Sequence, residues 1–471
     1  MKLCFCARPV YDKFSTELYL RLKSRHDPML SGVFITNDGE ESSYVRAKLP
    51  EAAVCEVAAF MEAHWSELDL EKLVYYEKKY ACAPVWKLIY TDRFLINCDY
   101  EYCVKTTAGL FLFFEGVFAG SDIRYYYDET IATLQSYIAY VVGKACGVRY
   151  ISQMTARGKD STHHFFLGDP YEYNLNFRSN YRDLTYSSGL WNTAAQFLAE
   201  FEARNQRPKL MDLVSTKPAF TLQFFLLPVL WLKNRRNPKY NNKYSYMYYK
   251  AYRKSCNILR YYIRYKVSKR YYHKPDYTKK FVYYPLHYQP EASTIVCAQK
   301  YEKQIFFIDS WAKSLPADTM LYVKEHYSLL GNRELGFYKQ LRHYPNVLLI
   351  DPWEDTFRLI KGSVAVTTLT GTAGWEAMLL RKPVFLGGSI YYENAPGIIK
   401  TEEIFGNYLR SMEGWKEPSR EEIIQYLCEY FTSIYEGQVY AASSACYMDD
   451  NIDKVAASLY QQLYGGGAFH E

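Results

Sequence analysis

The sequence has no apolar stretch approaching the roughly 18 residues that a membrane-spanning helix requires, so no segment is expected to cross a bilayer. It has no CxxC, and its eleven cysteines are an odd number scattered from Cys4 to Cys446. That argues against a disulfide framework and for a reducing, cytoplasmic compartment. No DxD triplet occurs, so a metal-clamped diphosphate would lack obvious ligands, and neither a metal nor another cofactor is expected. GxxxxGK[ST] and GxGxxG are both missing, which disfavours P-loop and dinucleotide sites. The start, MKLCFCARPVYDKF, carries one lysine and a short apolar run before proline and charge, so it reads as a first strand rather than a secretory signal. No repeat of fixed period is present.

What is present is enough for real cores. The chain has 471 residues, 49% hydrophobic and 23% charged, which predicts two to three domains. Tyrosine is abundant, at 49 against 26 Phe and 8 Trp. Its ring and hydroxyl suit half-buried, wet surfaces such as sugar sites, and cores as well. Charge is unevenly spread. Between Lys233 and Lys280 lie 16 Lys/Arg, one acid (Asp276) and twelve tyrosines, a local net of +15 in a chain of net +6. Just before this segment stands AFTLQFFLLPVLWL, residues 219–232. An apolar run beside a basic, tyrosine-rich helix suits an anionic membrane surface or a polyanionic acceptor. Arg235, Arg236, Arg253 and Lys254 are its candidate contacts. A solvated helical pair has the same composition, and no nucleic-acid-binding module is recognisable.

The N-terminal part opens as a βαβ unit: a strand at Leu3–Cys6, a helix over Tyr11–Arg25, and a strand at Gly32–Thr36. Helical periodicity covers Glu51–Tyr80. The apolar run GLFLFFEGVF predicts a buried strand near Leu110–Phe118, and a helix follows over Glu129–Cys146. After the basic segment, strands are expected at Phe281–Tyr284, Gln304–Ile308, Met320–Lys324, Val347–Ile350, Val364–Thr368 and Pro383–Leu386. Helices fit Glu334–Arg342, Thr356–Lys361 and Gly374–Leu380. This alternation implies parallel sheets covered on both faces. The expected architecture is therefore α/β, with two Rossmann-like domains facing a cleft. Expected limits are 1–210 for an acceptor domain, 211–280 for a helical basic insert, 281–450 for a nucleotide-sugar domain and 451–471 for a terminal helix and tail.

The densest chemistry lies in SVAVTTLTGTAGWEAMLLRKPVFLGG. A β-branched strand runs into Thr370-Gly371-Thr372-Ala373-Gly374, and a helix is expected near Trp375. Glycines admit close backbone approach, and helix-start amides favour phosphate. Glu376, expected in the first turn, suits ribose hydroxyls. A plain strand-to-helix turn that needs glycine for packing has the same composition. In MLYVKEHY, Lys324 and His326 fall at a strand's C-terminal end, where open α/β sheets hold ligands. Gln289 and Glu291 follow another strand in FVYYPLHYQPEAST. Glu291 there is a base, a hydroxyl acceptor or a helix-start carboxylate. In FFEGVFAGSDIRYYYDET, Glu115 and Asp128 are candidate carboxylates for glycosidic chemistry; a solvated loop would look alike.

Taken in order, the segments FVYYPLHYQPEAST, VKEHYSLLGNRELGFYKQL and NVLLIDPWEDTFRLIKGSVAVTTLTGTAGWEAMLLRKPVFLGGSIYY resemble the capsule polysaccharide biosynthesis protein family, which includes bacterial Kdo transferases. The resemblance covers residues 281–392 and does not extend to the basic segment. It implies a GT-B glycosyltransferase that uses a nucleotide-activated sugar, with CMP-Kdo as the donor, and no metal. By motif, Lys324 and His326 would hold the donor phosphate. Thr370, Gly371, Thr372 and Gly374 would line the phosphate turn, Glu376 would meet the ribose, and Gln289 and Glu291 would sit beside the donor. Glu115 would be the first catalytic carboxylate and Asp128 the second. Tyr327 stands where the family usually has Pro, and Phe114 where it often has an acid. The expected protein is a glycosyltransferase of surface polysaccharide synthesis, peripheral at the inner face of the cytoplasmic membrane. Its expected partners are a nucleotide sugar and a glycan or glycolipid acceptor, not nucleic acid. The alternatives are a CDP-glycerol-dependent glycerophosphotransferase of the same fold and a non-catalytic assembly factor.

Overall fold

A computed structural model describes residues 1–158, 163–204, 225–235, 242–246, 251–289, 297–301, 303–400, 408–441 and 443–465. The chain forms two compact units. One comprises Met1–Phe177, Pro238–Tyr249 and Tyr430–Glu471, and the other Arg178–Asn237 and Lys250–Glu429. These limits differ from those expected from composition. The basic segment is not a separate body, and the C-terminal residues return to the first unit.

In the first unit, β1 (Lys2–Cys6), β2 (Ser31–Thr36), β3 (Ala53–Glu56), β4 (Ile123–Glu129) and β5 (Arg149–Thr155) are parallel, and β6 (His164–Gly168) is antiparallel to β5. The order is β6-β5-β4-β1-β2-β3. β1 and β2 are apolar runs buried on both faces, as a parallel sheet covered by helices requires. Phe5 stacks on Phe34 at 5.2 Å and meets Tyr19 and Tyr127 edge-on.

Several expected elements differ. The run expected as a strand at Leu110–Phe118 is the second half of a helix, Tyr100–Phe118. Asp99 caps it by accepting from the Tyr102 N–H at 2.9 Å. Helices Val57–His64, Leu70–Tyr80 and Leu134–Ala145 all pack on it, so nearly its whole girth is apolar and the 3.6-residue period disappears. The helix expected from Glu129 starts only at Leu134, capped by Thr133, because residues up to Glu129 belong to the tyrosine-rich β4. β3 interrupts the helical stretch expected over Glu51–Tyr80.

The second unit is fully parallel: β7 (Lys280–Pro285), β8 (Thr319–Lys324), β9 (Val347–Ile350), β10 (Ala365–Thr368), β11 (Val384–Leu386) and β12 (Ile398–Lys400), in the order β12-β11-β10-β7-β8-β9. Five of the six strands expected there occur. The sixth, Gln304–Ile308, opens a helix, Gln304–Ser314, whose buried Gln304, Phe307, Ile308, Trp311 and Ala312 recur at helical spacing. The chain then returns to the first unit, where β13 (Tyr435–Glu436) adds to β6 and helix Asp449–Tyr464 packs on Tyr11–Arg25. Arg21 binds Asp449 and Asp453 across that contact at 2.6 and 2.9 Å.

Tyrosine fills the cores. Eleven of the twelve largest fully buried side chains are tyrosines. Several of their hydroxyls find partners: Tyr19 donates to the Leu30 carbonyl, Tyr322 to that of Asp276, and Tyr338 to Glu325. Residues 242–246 of the basic segment dip into the first unit. There Tyr246 donates to Asp92, a buried carboxylate that also accepts from the N–H groups of Phe94, Leu95 and Leu134 at 2.7–2.9 Å. Burial and the Asp92 charge raise the Tyr246 pKa, keeping it a donor. Asp92→Asn turns one acceptor into a donor facing N–H groups. It is expected to lower stability by about 2 kcal/mol in equilibrium denaturation; an unchanged midpoint would refute the clasp.

Candidate functional site

In each sheet one strand lies between neighbours that are reached by opposite crossovers: β1 between β2 and β4, and β7 between β8 and β10. Open α/β sheets bind ligands beyond the C-terminal strand ends at such switch points.

In the second unit, His287 follows β7 and ties that edge together. Its N–H donates to Gln304 at 2.8 Å, and its carbonyl accepts from Gln304 and Arg333 at 3.2 Å each. The ring Nε2 accepts from the Leu369 N–H at 3.0 Å and lies 3.0 Å from the Thr368 hydroxyl, which accepts from the Gly371 N–H. Burial foremost, then the charges of His326 and Arg333, push the His287 pKa down to about 3. The ring is thus neutral at pH 7, and its bonds assign the proton to Nδ1. Sequence reasoning passed over His287 in favour of Gln289 and Glu291. Its place directly after a buried strand, the argument applied to Lys324, was the available signal.

Lys324 ends β8, buried, with Nζ donating to Thr356 at 2.7 Å. Next to it, buried Glu325 binds Arg333 Nε at 3.0 Å and Tyr338 at 2.7 Å, and accepts from the His326 N–H, fixing the backbone that presents His326. The His326 ring stacks on Tyr327 at 4.8 Å and meets Tyr288 edge-on. The turn after β10 leads into a helix, Thr372–Leu379, capped by Gly371. That helix starts before the expected Gly374, so Glu376 sits in its second turn, buried, rather than in the first. A Cβ on Gly374 would overlap the Tyr392 hydroxyl, which donates to the Gly371 carbonyl. Packing therefore demands this glycine.

The structure thus brings Lys324, His326, Gln289 and Thr370–Gly374 to one sheet edge, with His287 among them. Amides of the helix start, a lysine and a histidine there can hold a phosphate. Glu291 and Arg236 lie outside the described residues. Arg235 ends the helix Leu227–Arg235, while Arg253 and Lys254 lie on the helix Ala251–Ser268; the side chains of all three are outside what is described.

In the first unit, a cavity of about 290 Å³ opens at the ends of β1 and β4, with Arg8, Tyr11, Arg93, Glu129, Gln135 and Tyr246 in its wall. Arg8 and Tyr11 both bind the Glu129 carboxylate. Burial raises the Tyr11 pKa, so the phenol stays a donor. Asp128 stands behind. Its carboxylate accepts from Ser136 at 2.8 Å, from the Glu129 N–H at 2.8 Å and from Tyr126 and Tyr150 at 3.3 Å, with Arg8 at 3.7 Å. It shapes the site rather than reaching the cavity.

Glu115 lies elsewhere. Its helix ends at Phe118, four residues before β4 begins, so Glu115 sits at the N-terminal edge of the sheet, away from Asp128. There it binds Lys79, Tyr80 at 2.7 Å and Tyr76 at 3.3 Å. Burial raises its pKa, but the bonds from Lys79 and Tyr80 prevail and hold the carboxyl below its usual range. The catalytic place expected for Glu115 rested on the motif resemblance and on reading its helix as a strand, and the second ground is gone.

Residues 221–414 match the family model described as capsule polysaccharide biosynthesis protein. The match spans less than half of the chain. It agrees with the resemblance carried by the motifs and extends it through the whole basic segment, Lys233–Lys280, which is therefore not foreign to the family pattern. Among solved structures, the chain is similar to the Thermosulfurimonas dismutans KpsC β-Kdo 2,7 transferase, at 10% identity, with 98% of this chain and 100% of that one covered and a TM-score of 0.34. It is similar to the β-Kdo 2,4 transferase of the same KpsC at 13% identity, covering 67% and 85%, with a TM-score of 0.30. It is also similar to the UDP-GlcNAc 2-epimerase of Neisseria meningitidis, bound to UDP-GlcNAc, at 12% identity, covering 99% and 100%, with a TM-score of 0.25. No curated protein matches.

Proposed function

We propose that the chain transfers a glycosyl group from a nucleotide-activated sugar to a glycan or lipid-linked acceptor during synthesis of a capsule or related surface polysaccharide. The observation that carries this is the switch-point edge of the second unit. There a neutral His287 pins the turn after β10 beside Lys324 and His326, inside the segment that matches the family. In this proposal the amides of Gly371–Gly374, Lys324 and His326 take the negative charge that grows on the leaving phosphate. His287 holds the turn in place, and Glu129, in the cavity of the first unit, is the proposed base for an acceptor hydroxyl bound there. CMP-Kdo is the proposed donor, on the strength of the motif resemblance.

A thermal-shift panel of CMP, CDP, UDP and GDP tests this. CMP is expected to stabilise most, and Lys324→Ala to weaken CMP binding about tenfold through the lost charged hydrogen bond. Preference for UDP or GDP would remove Kdo. Turnover of CDP-glycerol but not CMP-Kdo would favour glycerol phosphate transfer. No response to any nucleotide would overturn the enzyme assignment.

A further inference from the structure

Helices Leu227–Arg235 and Ala251–Ser268, both in the second unit, pack against each other. Together they expose apolar side chains that globular surfaces normally hide. Val229 is 60% exposed and Ile263 51%, Leu232 and Leu259 also face outward, and Phe225 and Leu226, just before the first helix, are exposed as well. Leu259 and Ile263 stand one helical turn apart, and Lys266 and Arg270 continue the same face. Arg260 flanks it, exposed. Tyrosine rings lie alongside the cations, Tyr262 under Lys266 and Tyr265 under Lys269.

The inner face of the longer helix is firmly seated. Tyr265 and Ser268 are buried, and Arg264 donates to the Asn332 carbonyl at 3.0 Å. Gly331, at φ +83°, lets the loop after β8 approach the Tyr261 backbone so closely that any Cβ would collide with it. That loop also carries His326. The outer face is therefore the part of a fixed element that lacks cover among the described residues.

Exposed leucine, isoleucine, valine and phenylalanine, bordered by lysine, arginine and tyrosine, fit the boundary between headgroups and acyl chains. The run from Lys233 to Lys280 holds 16 basic residues and one acid, which fits an anionic surface. No helix of the described residues is long and apolar enough to cross a membrane, so such a contact lies in the interface plane. We infer that this two-helix face docks the protein onto an anionic lipid bilayer, with the apolar residues entering below the headgroups and the cations meeting lipid phosphates. The inference does not rest on the donor assignment, because binding is read without nucleotide or turnover.

The experiment sediments the full-length protein with phosphatidylglycerol-containing vesicles and with pure phosphatidylcholine vesicles. Binding to the anionic vesicles is expected to be at least about tenfold tighter, and to weaken as salt rises. The exposed pair Leu259→Gln with Ile263→Gln, and separately Arg260→Glu with Lys266→Glu, are each expected to lower binding about tenfold or more while thermal midpoint and nucleotide response stay unchanged. No co-sedimentation, equal binding to neutral vesicles, or wild-type binding by both variants would overturn the inference. So would self-association in sedimentation velocity that Ile263→Gln abolishes, which would give the face to a second copy, or tighter binding to a short RNA than to vesicles.

Discussion

Replacing Glu129 with glutamine is expected to lower glycosyl transfer at saturating donor by about 100-fold or more, while Glu115→Gln changes it by less than about threefold. Glutamine keeps the size of glutamate and one acceptor for Arg8 or Tyr11, but it cannot take a proton from an acceptor hydroxyl. Glu129 is the carboxylate at the C-terminal end of β4 that reaches the cavity. Glu115 has partners of the same kind, Lys79 and two tyrosines, but lies at the other edge of the sheet. Because the proposed donor edge belongs to the other unit, a folded Glu129→Gln protein should retain its thermal response to CMP, which separates lost chemistry from lost structure. The opposite pattern, Glu115→Gln inactive and Glu129→Gln active, would return the catalytic role to the helix. Equal activity of both variants would exclude either carboxylate as the base.

The contrast between these two glutamates shows where sequence is legible. Period and strand-end logic located most of the second unit, because its strands are short apolar runs bounded by Gly, Pro or charge. The same logic failed at GLFLFFEGVF. A helix buried on nearly all sides has no polar stripe, and an apolar run such as Leu110–Phe114 fits a buried strand equally well. That error carried Glu115 into the site with it. It also hid β4, whose IRYYYDE looks like a surface stretch until its tyrosines prove to be core.

Tyrosine abundance left two readings open, wet surfaces and cores. Tyrosines prove to be the main large core residues, and several of their hydroxyls hold elements of the candidate site. Tyr392 holds the Gly371 carbonyl, Tyr338 holds Glu325 behind His326, and Tyr246 closes the wall of the Glu129 cavity. Contacts of this kind join residues far apart in sequence, so no local pattern announces them. Crossings between the units are equally invisible, since residues 242–246 share the composition of the helices on either side and still belong to the first unit.

His287 yields the other large effect, and its sign follows from which state binds the proton. Buried in the folded protein, the imidazole has its pKa pushed from 6.5 to about 3. In the unfolded chain it titrates near its ordinary value. Below about pH 6.5 the unfolded state takes up a proton that the folded state refuses. Stability therefore falls as pH falls through 6.5, and continues to fall until about pH 3. One such group removes about 2 kcal/mol between roughly pH 7.5 and pH 5. His287→Gln is expected to be less stable than wild type at neutral pH, because the Nε2 acceptor of the Leu369 N–H is altered, but to lose less on acidification. The two denaturation curves should therefore converge in acid; parallel curves would refute a buried neutral histidine. A proton forced onto Nε2 would also point at the Leu369 N–H, donor against donor, and release the turn that Thr368 and Gly371 form with it. In the folded protein that protonation sets in only near pH 3, so the CMP response of wild type should persist through the range in which its stability falls.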